Sequence, residues 1–195
     1  MDSPITSSSA AGEYWGIDAT IQYGGSNGSD SVSLADNVAG FVDTGTTLIY
    51  LPTGKLLCGA GLLVPDMCTQ THNALLTLDA YNKYVKSTGG VLDSNTQLPR
   101  ITNDQYKSLQ PLNFVIGGQT FGLTPNAQIW PRTLNTAIQG EEDSIYLAVQ
   151  DIGDKFPGVN FICGMSFLER FYSVFDTGNH RVGLARTAFT NATTN

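Results

Sequence analysis

At 195 residues with 41% hydrophobic side chains, the chain is long enough to bury a core, and one domain is the first expectation. Only 14% of its residues are charged, the formal net charge is -7, and no Lys/Arg cluster is available to neutralise a phosphate backbone, which excludes nucleic acid as a partner. No run approaches the roughly eighteen apolar residues of a membrane helix, and Met1-Asp2-Ser3-Pro4 lacks the basic and apolar regions of an export leader.

Abundant glycine and many Val, Ile, Thr, Tyr and Phe residues favour a turn-rich β protein with few helices. Residues 1–13 are small and polar and read as a connector from something upstream, with order beginning at Tyr14. Residues 14–23 alternate, Ile17, Ala19, Ile21 and Tyr23 facing one way and Asp18, Thr20 and Gln22 the other, the period of a half-buried strand. Apolar runs at 38–42 and 48–51 read as two buried strands with the polar triplet Asp43-Thr44-Gly45 between them.

Residues 79–86 followed by Gly89-Gly90 read as a short helix with a glycine stop, and Thr102 with Gln105 has the spacing of a capping box opening another. Residues 112–116 and 119–123 around Gly117-Gly118 read as a hairpin, 145–149 as a strand, and 159–163 as an apolar strand ending at Gly164. Ser166 and Glu169 repeat the capping-box spacing. Residues 171–175 and 181–185 flank a turn at Asp176-Thr177-Gly178-Asn179. Acceptor sequons stand at Asn27-Gly28-Ser29 and Asn191-Ala192-Thr193.

The stretch Phe41-Val42-Asp43-Thr44-Gly45-Thr46-Thr47-Leu48 resembles the catalytic turn in the C-terminal lobe of pepsin-like aspartic proteases. Tyr14-Trp15-Gly16-Ile17 is similar to the strand that opens that lobe, Phe161-Ile162-Cys163-Gly164 to the segment packing under the turn, and 171–176 with 182–185 to its closing hairpin. Within the family, Gly117 to Phe121 and Asn126 to Pro131 look most like the fungal polyporopepsin branch.

The resemblance implies an all-β pepsin-like lobe over 14–190 with a few short helices and a tail at 191–195. It implies an acid endopeptidase acting on polypeptides through water activated between two aspartates, sensitive to pepstatin-type inhibitors, secreted, and needing no cofactor or metal. Asp43 would be the catalytic carboxylate, with Thr44, Gly45, Thr46 and Thr47 supporting it and Tyr14, Phe41 and Ile162 lining primed-side pockets. Asp176-Thr177-Gly178 falls where the family has a noncatalytic turn. One aspartate cannot serve as both acid and base, so the mate is expected from an N-terminal lobe outside this chain. A catalytically inactive pepsin-fold binding protein and a retroviral-type homodimer are the alternatives.

Other site chemistries fit poorly. Ser166 lies in Gly164-Met165-Ser166-Phe167-Leu168, without the final glycine of a nucleophile elbow. Gly54-Lys55-Leu56 lacks the remainder of a phosphate loop, and the two histidines and three cysteines have no metal-ligand spacing. Between Thr53 and the helix the family would run on directly, but here the 25 residues 54–78 intervene, leucine-rich and carrying Cys58, Cys68 and His72. They are expected to be either a translated intron, since Gly54-Lys55 and Leu78-Asp79 can be coded as splice junctions, or a genuine insertion, with Cys58 and Cys68 free to pair.

Overall fold

A computed structural model describes residues 1–25, 31–57 and 76–194, with only the backbone of 55–57 and 76–77. The sequon at Asn27 and the residues Cys58, Cys68 and His72 lie outside the described residues.

Strand β1 (Asp2–Pro4) is followed by β2 (Gly16–Tyr23), β3 (Val32–Val42), β4 (Ile49–Leu51), β5 (Lys55–Leu57) and β6 (Leu76–Leu78). After helix α1 (Ala80–Thr88) come β7 (Val91–Leu92), β8 (Pro99–Ile101) and helix α2 (Asn103–Ser108). The hairpin β9 (Leu112–Ile116) and β10 (Gln119–Leu123) leads to β11 (Ile145–Tyr146), β12 (Val149–Asp151) and β13 (Ile162–Cys163). The short helix α3 (Met165–Leu168) and the hairpin β14 (Phe171–Asp176) and β15 (Arg181–Arg186) close the chain.

The alternation expected in 14–23 becomes β2, whose Ile17, Ala19, Ile21 and Tyr23 are all buried. It sits near the middle of a seven-stranded sheet ordered β10-β9-β2-β3-β13-β4-β12. One face of this sheet carries the main core, into which Phe114, Phe161 and Phe167 pack as a chain of ring contacts. Gly117 and Gly118 both take positive φ, so the two-residue turn that only glycine accommodates cheaply fixes the β9–β10 register.

The end of α1 and the start of α2 fall where their punctuation says. Gly89 at φ 70° stops α1, and Thr102 and Gln105 form a complete capping box at α2. The Gln105 side-chain amide also donates to the Gly89 carbonyl at 2.7 Å, joining one helix end to the other. Beneath them the fully buried Gln128 accepts from the Tyr84 hydroxyl at 3.0 Å and donates to the carbonyls of Gln110 and Leu123.

The structure departs from expectation in four places. Order begins earlier than Tyr14, because Asp2–Pro4 pairs antiparallel with β15, opposite Arg181, Val182 and Gly183. The expected strand 145–149 is divided: Ile145–Tyr146 joins β8, while Val149–Asp151 runs parallel to β4. Leu147 and Ala148 between them stay hydrogen-bonded to Pro99 and Gln128, so the run is extended throughout but changes sheet. Of 159–163 only Ile162–Cys163 is strand, the preceding residues bonding to Ala39 and Phe41 outside a regular ladder. Finally, Gly164 rather than Ser166 caps α3, and the Ser166 hydroxyl donates to the Thr47 carbonyl at 2.8 Å instead of forming a box with Glu169.

Candidate active site

Asp43 stands at the C-terminal end of β3, and the reason it is held there lies on its neighbour. Strand β13 is inserted between β3 and β4, parallel to the first and antiparallel to the second, with Ile162 opposite both Phe41 and Tyr50. The loop 43–48 therefore has to pass around the end of β13. The Asp43 N–H donates to the Cys163 carbonyl, Gly164 N–H to Leu48, Met165 N–H to Thr46 and Ser166 N–H to Thr47. The carbonyls of Thr46, Thr47 and Leu48 and the N–H of Asp43 thus have defined partners on the segment that follows β13, which ties the polar loop to the buried sheet.

Gly164 is the steric condition of this arrangement. A Cβ placed there would lie 2.4 Å from the carbonyl oxygens of both Thr46 and Leu48, backbone atoms that cannot swing aside. Gly40, within β3, has a similar role, since a Cβ there would strike the Phe161 ring at 2.4 Å.

The carboxylate of Asp43 is oriented by its own turn. Gly45 N–H donates to Oδ1 at 3.0 Å and the Thr46 hydroxyl to Oδ2 at 2.6 Å, the short distance of a hydroxyl facing a carboxylate. Asp43 remains partly exposed and has no ion-pair partner among the described residues. Gly45 does not have a positive φ, and a Cβ on it would meet Oδ1 at 3.4 Å, an ordinary contact. Its N–H, and not a need for close approach within this chain, is what the site uses. The Thr44 and Thr47 side chains face solvent, Thr44 with no hydrogen bond among the described residues, while the Thr47 carbonyl takes two bonds from Ser166.

Two clefts flank the turn. One, of about 530 Å³, runs from Asp43 along Val42, Phe41, Tyr14, Trp15 and Phe156. Tyr14 is 48% exposed and stacks on buried Phe41 at 4.4 Å between ring centroids, and Phe156 meets Phe41 edge-on at 5.9 Å. The other, of about 460 Å³, is bordered by Gly45, Thr46, Thr47, Tyr50 and Trp130. Of the three pocket residues expected from sequence, Tyr14 and Phe41 line the first cleft. Ile162 does not: it is 2% exposed and packs with Ala11, Phe41, Ile152 and Val159 beneath the cleft floor. Phe156, Thr177 and His180, which also border this cleft, escaped the sequence reading, because nothing in the local pattern around them distinguishes a cleft wall from a loop.

The second Asp-Thr-Gly triplet has different surroundings. Asp176 ends β14, and its carboxylate accepts from the Asn179 side-chain amide at 2.7 Å, the Asn179 N–H at 3.0 Å and Arg181 Nε at 2.8 Å. The Asn179 amide, helped by the Arg181 guanidinium, lowers its pKa to about 2. It is a turn aspartate with a resident cation. Among the described residues no group of His, Cys, Asp and Glu is placed to hold a metal, and no helix is long and apolar enough to cross a membrane.

Comparison with known proteins agrees with this build. A family model described as eukaryotic aspartyl protease matches residues 3–187. Polyporopepsin of Irpex lacteus is 51% identical over 193 residues, covering 98% of this chain and 48% of that protein. Vacuolar protease A of Aspergillus fumigatus is 29% identical over 182 residues, covering 89% of this chain and 34% of that protein. The crystal structure of the aspartic proteinase from Irpex lacteus superposes over the whole chain with a TM-score of 0.80 and 50% identity, covering 48% of that structure. The chain therefore spans about half the length of the polyporopepsin it matches.

Proposed function

Because the chain belongs to the eukaryotic aspartyl protease family, we propose that it is the C-terminal lobe of a secreted endopeptidase and that Asp43 is one of its two catalytic carboxylates. The observation that carries this reading is the Asp43 carboxylate, oriented by Gly45 N–H and the Thr46 hydroxyl, partly exposed between two clefts and with no ion-pair partner among the described residues. A carboxylate so held can share a proton with a second one brought to about 3 Å, since two like charges at that range do not both ionise. Asp176 cannot be that second group, because it is already paired with Arg181 in a hairpin.

In the assembled site, one carboxylate of the pair takes a proton from a water while the water oxygen bonds to the peptide carbonyl carbon. The other donates its proton to the carbonyl oxygen, giving a neutral tetrahedral diol. The first carboxylate then gives the proton it took to the amide nitrogen, a diol hydroxyl gives its proton to the second, and departure of the amine breaks the C–N bond, leaving the pair with its one shared proton. Thr44, whose hydroxyl makes no hydrogen bond among the described residues, is the residue that bonds across to the loop carrying the second aspartate. The cleft of Tyr14, Phe41 and Phe156 takes a bulky apolar side chain of the substrate, and the cleft beside Thr46 and Thr47 takes a residue on the other side of the cleaved bond. Pepstatin-type inhibitors fit the same two clefts.

The test compares this chain alone with the same chain joined to an N-terminal lobe, using haemoglobin or casein in acid. Pepstatin-sensitive cleavage confined to the joined form is expected. Cleavage by the chain alone would mean that two copies each supply one aspartate, and cleavage by neither would point to a binding protein that has lost catalysis.

A further inference from the structure

Beyond the protease site, the last ordered turn of the chain carries a feature that catalysis does not use. Residues 187–192 are pinned down from below. The Thr190 hydroxyl donates to the Arg170 carbonyl at 2.6 Å and accepts from Thr187 N–H, and Arg170 Nη1 donates to the Ala192 carbonyl at 3.0 Å. Both anchors are buried, Thr190 at 3% exposure and Arg170 at 4%. Ala192 N–H donates to the Phe189 carbonyl at 3.0 Å, so 189–192 forms a closed turn with Phe189 at its first position and Asn191 at its third.

What the turn presents outward is an acceptor and a platform. Asn191 and Thr193 of the sequon are exposed, and the Asn191 amide makes no hydrogen bond among the described residues. Phe189, two residues before it, is 68% exposed, beside a hollow of about 170 Å³ bordered by Glu169, Arg170 and Ala192. An aromatic ring left in water is matched by the apolar face of a sugar ring, whose C–H groups pack on a π surface and remove that area from solvent.

We propose that Asn191 is an N-glycosylation site and that Phe189 is the packing surface for the first sugar of its glycan. The inference rests on the secretory reading above. The donor is an oligosaccharide carried on a lipid pyrophosphate. The Asn191 amide nitrogen bonds to the anomeric carbon, the bond from that carbon to the pyrophosphate oxygen breaks, the lipid pyrophosphate leaves, and the nitrogen gives up one proton. Threonine at the third sequon position supplies the hydroxyl that such transfer requires.

The test uses the full chain behind a host leader in a eukaryotic secretory system, so that export is provided rather than assumed. Cleavage after Arg186 releases residues 187–195 as one peptide. In protein recovered from the secretory lumen this peptide is expected to carry a glycan, removable by a peptide N-glycosidase that leaves an aspartate in its place. N191Q and T193A should each abolish the modification and T193S should keep it, and because transfer precedes folding these variants are readable whether or not they fold. F189A should leave occupancy in place but speed enzymatic release from native protein several-fold, with no difference after denaturation. An unmodified 187–195 peptide in lumenal protein would overturn the site. Equal native release rates for F189A and the parent would overturn the role of Phe189.

Discussion

The molecule contains the tripeptide Asp-Thr-Gly twice, and the two copies could hardly differ more in what surrounds them. Asp43 follows a strand in the middle of a seven-stranded sheet and is gripped by donors of its own turn that leave it open toward two clefts. Asp176 ends an outer strand and is saturated by Asn179 and Arg181, which hold it down to about 2. A proton can be shared only by a carboxylate that no resident cation has claimed. Chemistry is therefore decided by the sheet beneath a triplet and the partners around it, and the triplet itself says little.

That contrast can be broken most decisively by exchanging the charges. In the assembled protease, D43N should lower kcat by about 10²–10⁴-fold or more, whereas D176N should leave it within about twofold; both are read by peptide-cleavage kinetics. A D176N enzyme as dead as D43N would mean that the two turns are not the distinct devices described here.

Next in size is the loop support. G164A forces a Cβ onto two carbonyl oxygens, which should cost about 1–3 kcal/mol or more in unfolding free energy by denaturant titration. Gly178, in the other triplet, meets only Asp176 Oδ1 at 3.6 Å, and G178A should cost far less. T46A removes the hydroxyl on Asp43 Oδ2 and should reduce kcat about tenfold to a hundredfold, the worth of a hydrogen bond to a charged group.

Smaller again is the effect of the 54–78 segment. Thr53 Oγ1 and Asp79 Oδ1, on either side of it, are buried without hydrogen-bond partners among the described residues, and Asp79 precedes α1 without a side-chain cap bond. Strands β5 and β6 pair Lys55 with Leu78, so the two ends of the segment lie side by side. We propose that the segment is a translated intron interrupting a native Thr53-Asp79 junction. Deleting 54–78 should restore a cap and raise stability by about 0.5–2 kcal/mol in thermal unfolding; a lower Tm, or transcripts that retain the twenty-five codons in most copies, would refute it.

The mildest expected effect is a slope. The carboxyl of Asp176 is lower in the folded chain than its usual value near 3.8. Its contribution to stability is therefore full above about pH 4 and lost as pH falls toward about 2. Unfolding curves of D176N should be flatter across that window than those of the parent.

Much of this organisation was legible in the sequence where a local rule acts alone. Gly117-Gly118 dictates its hairpin, Thr102 and Gln105 dictate their cap, and the alternation of 14–23 dictates which side of β2 is buried. The candidate site at Asp43 was marked by a family resemblance over Phe41 to Leu48, since the triplet alone distinguishes little. What the sequence could not display are relations across distance. Nothing local in Ile162-Cys163 says that the pair is threaded between β3 and β4, and hence that Ile162 lies beneath the cleft and does not line it. Leu147 and Ala148 look like the middle of one strand because changing sheets costs no change in pattern. Ser166 resembles a helix cap but is recruited by the Thr47 carbonyl, a partner more than a hundred residues away.

The central claim is that Asp43 is half of a proton-sharing pair. It is tested most directly by kcat/KM of the assembled protease across acid pH, for the parent, D43N and D176N. The parent and D176N should both give a bell-shaped profile with two limbs belonging to the pair, and D43N should show no profile above background. A bell that survives in D43N, or one that disappears in D176N, would contradict the account.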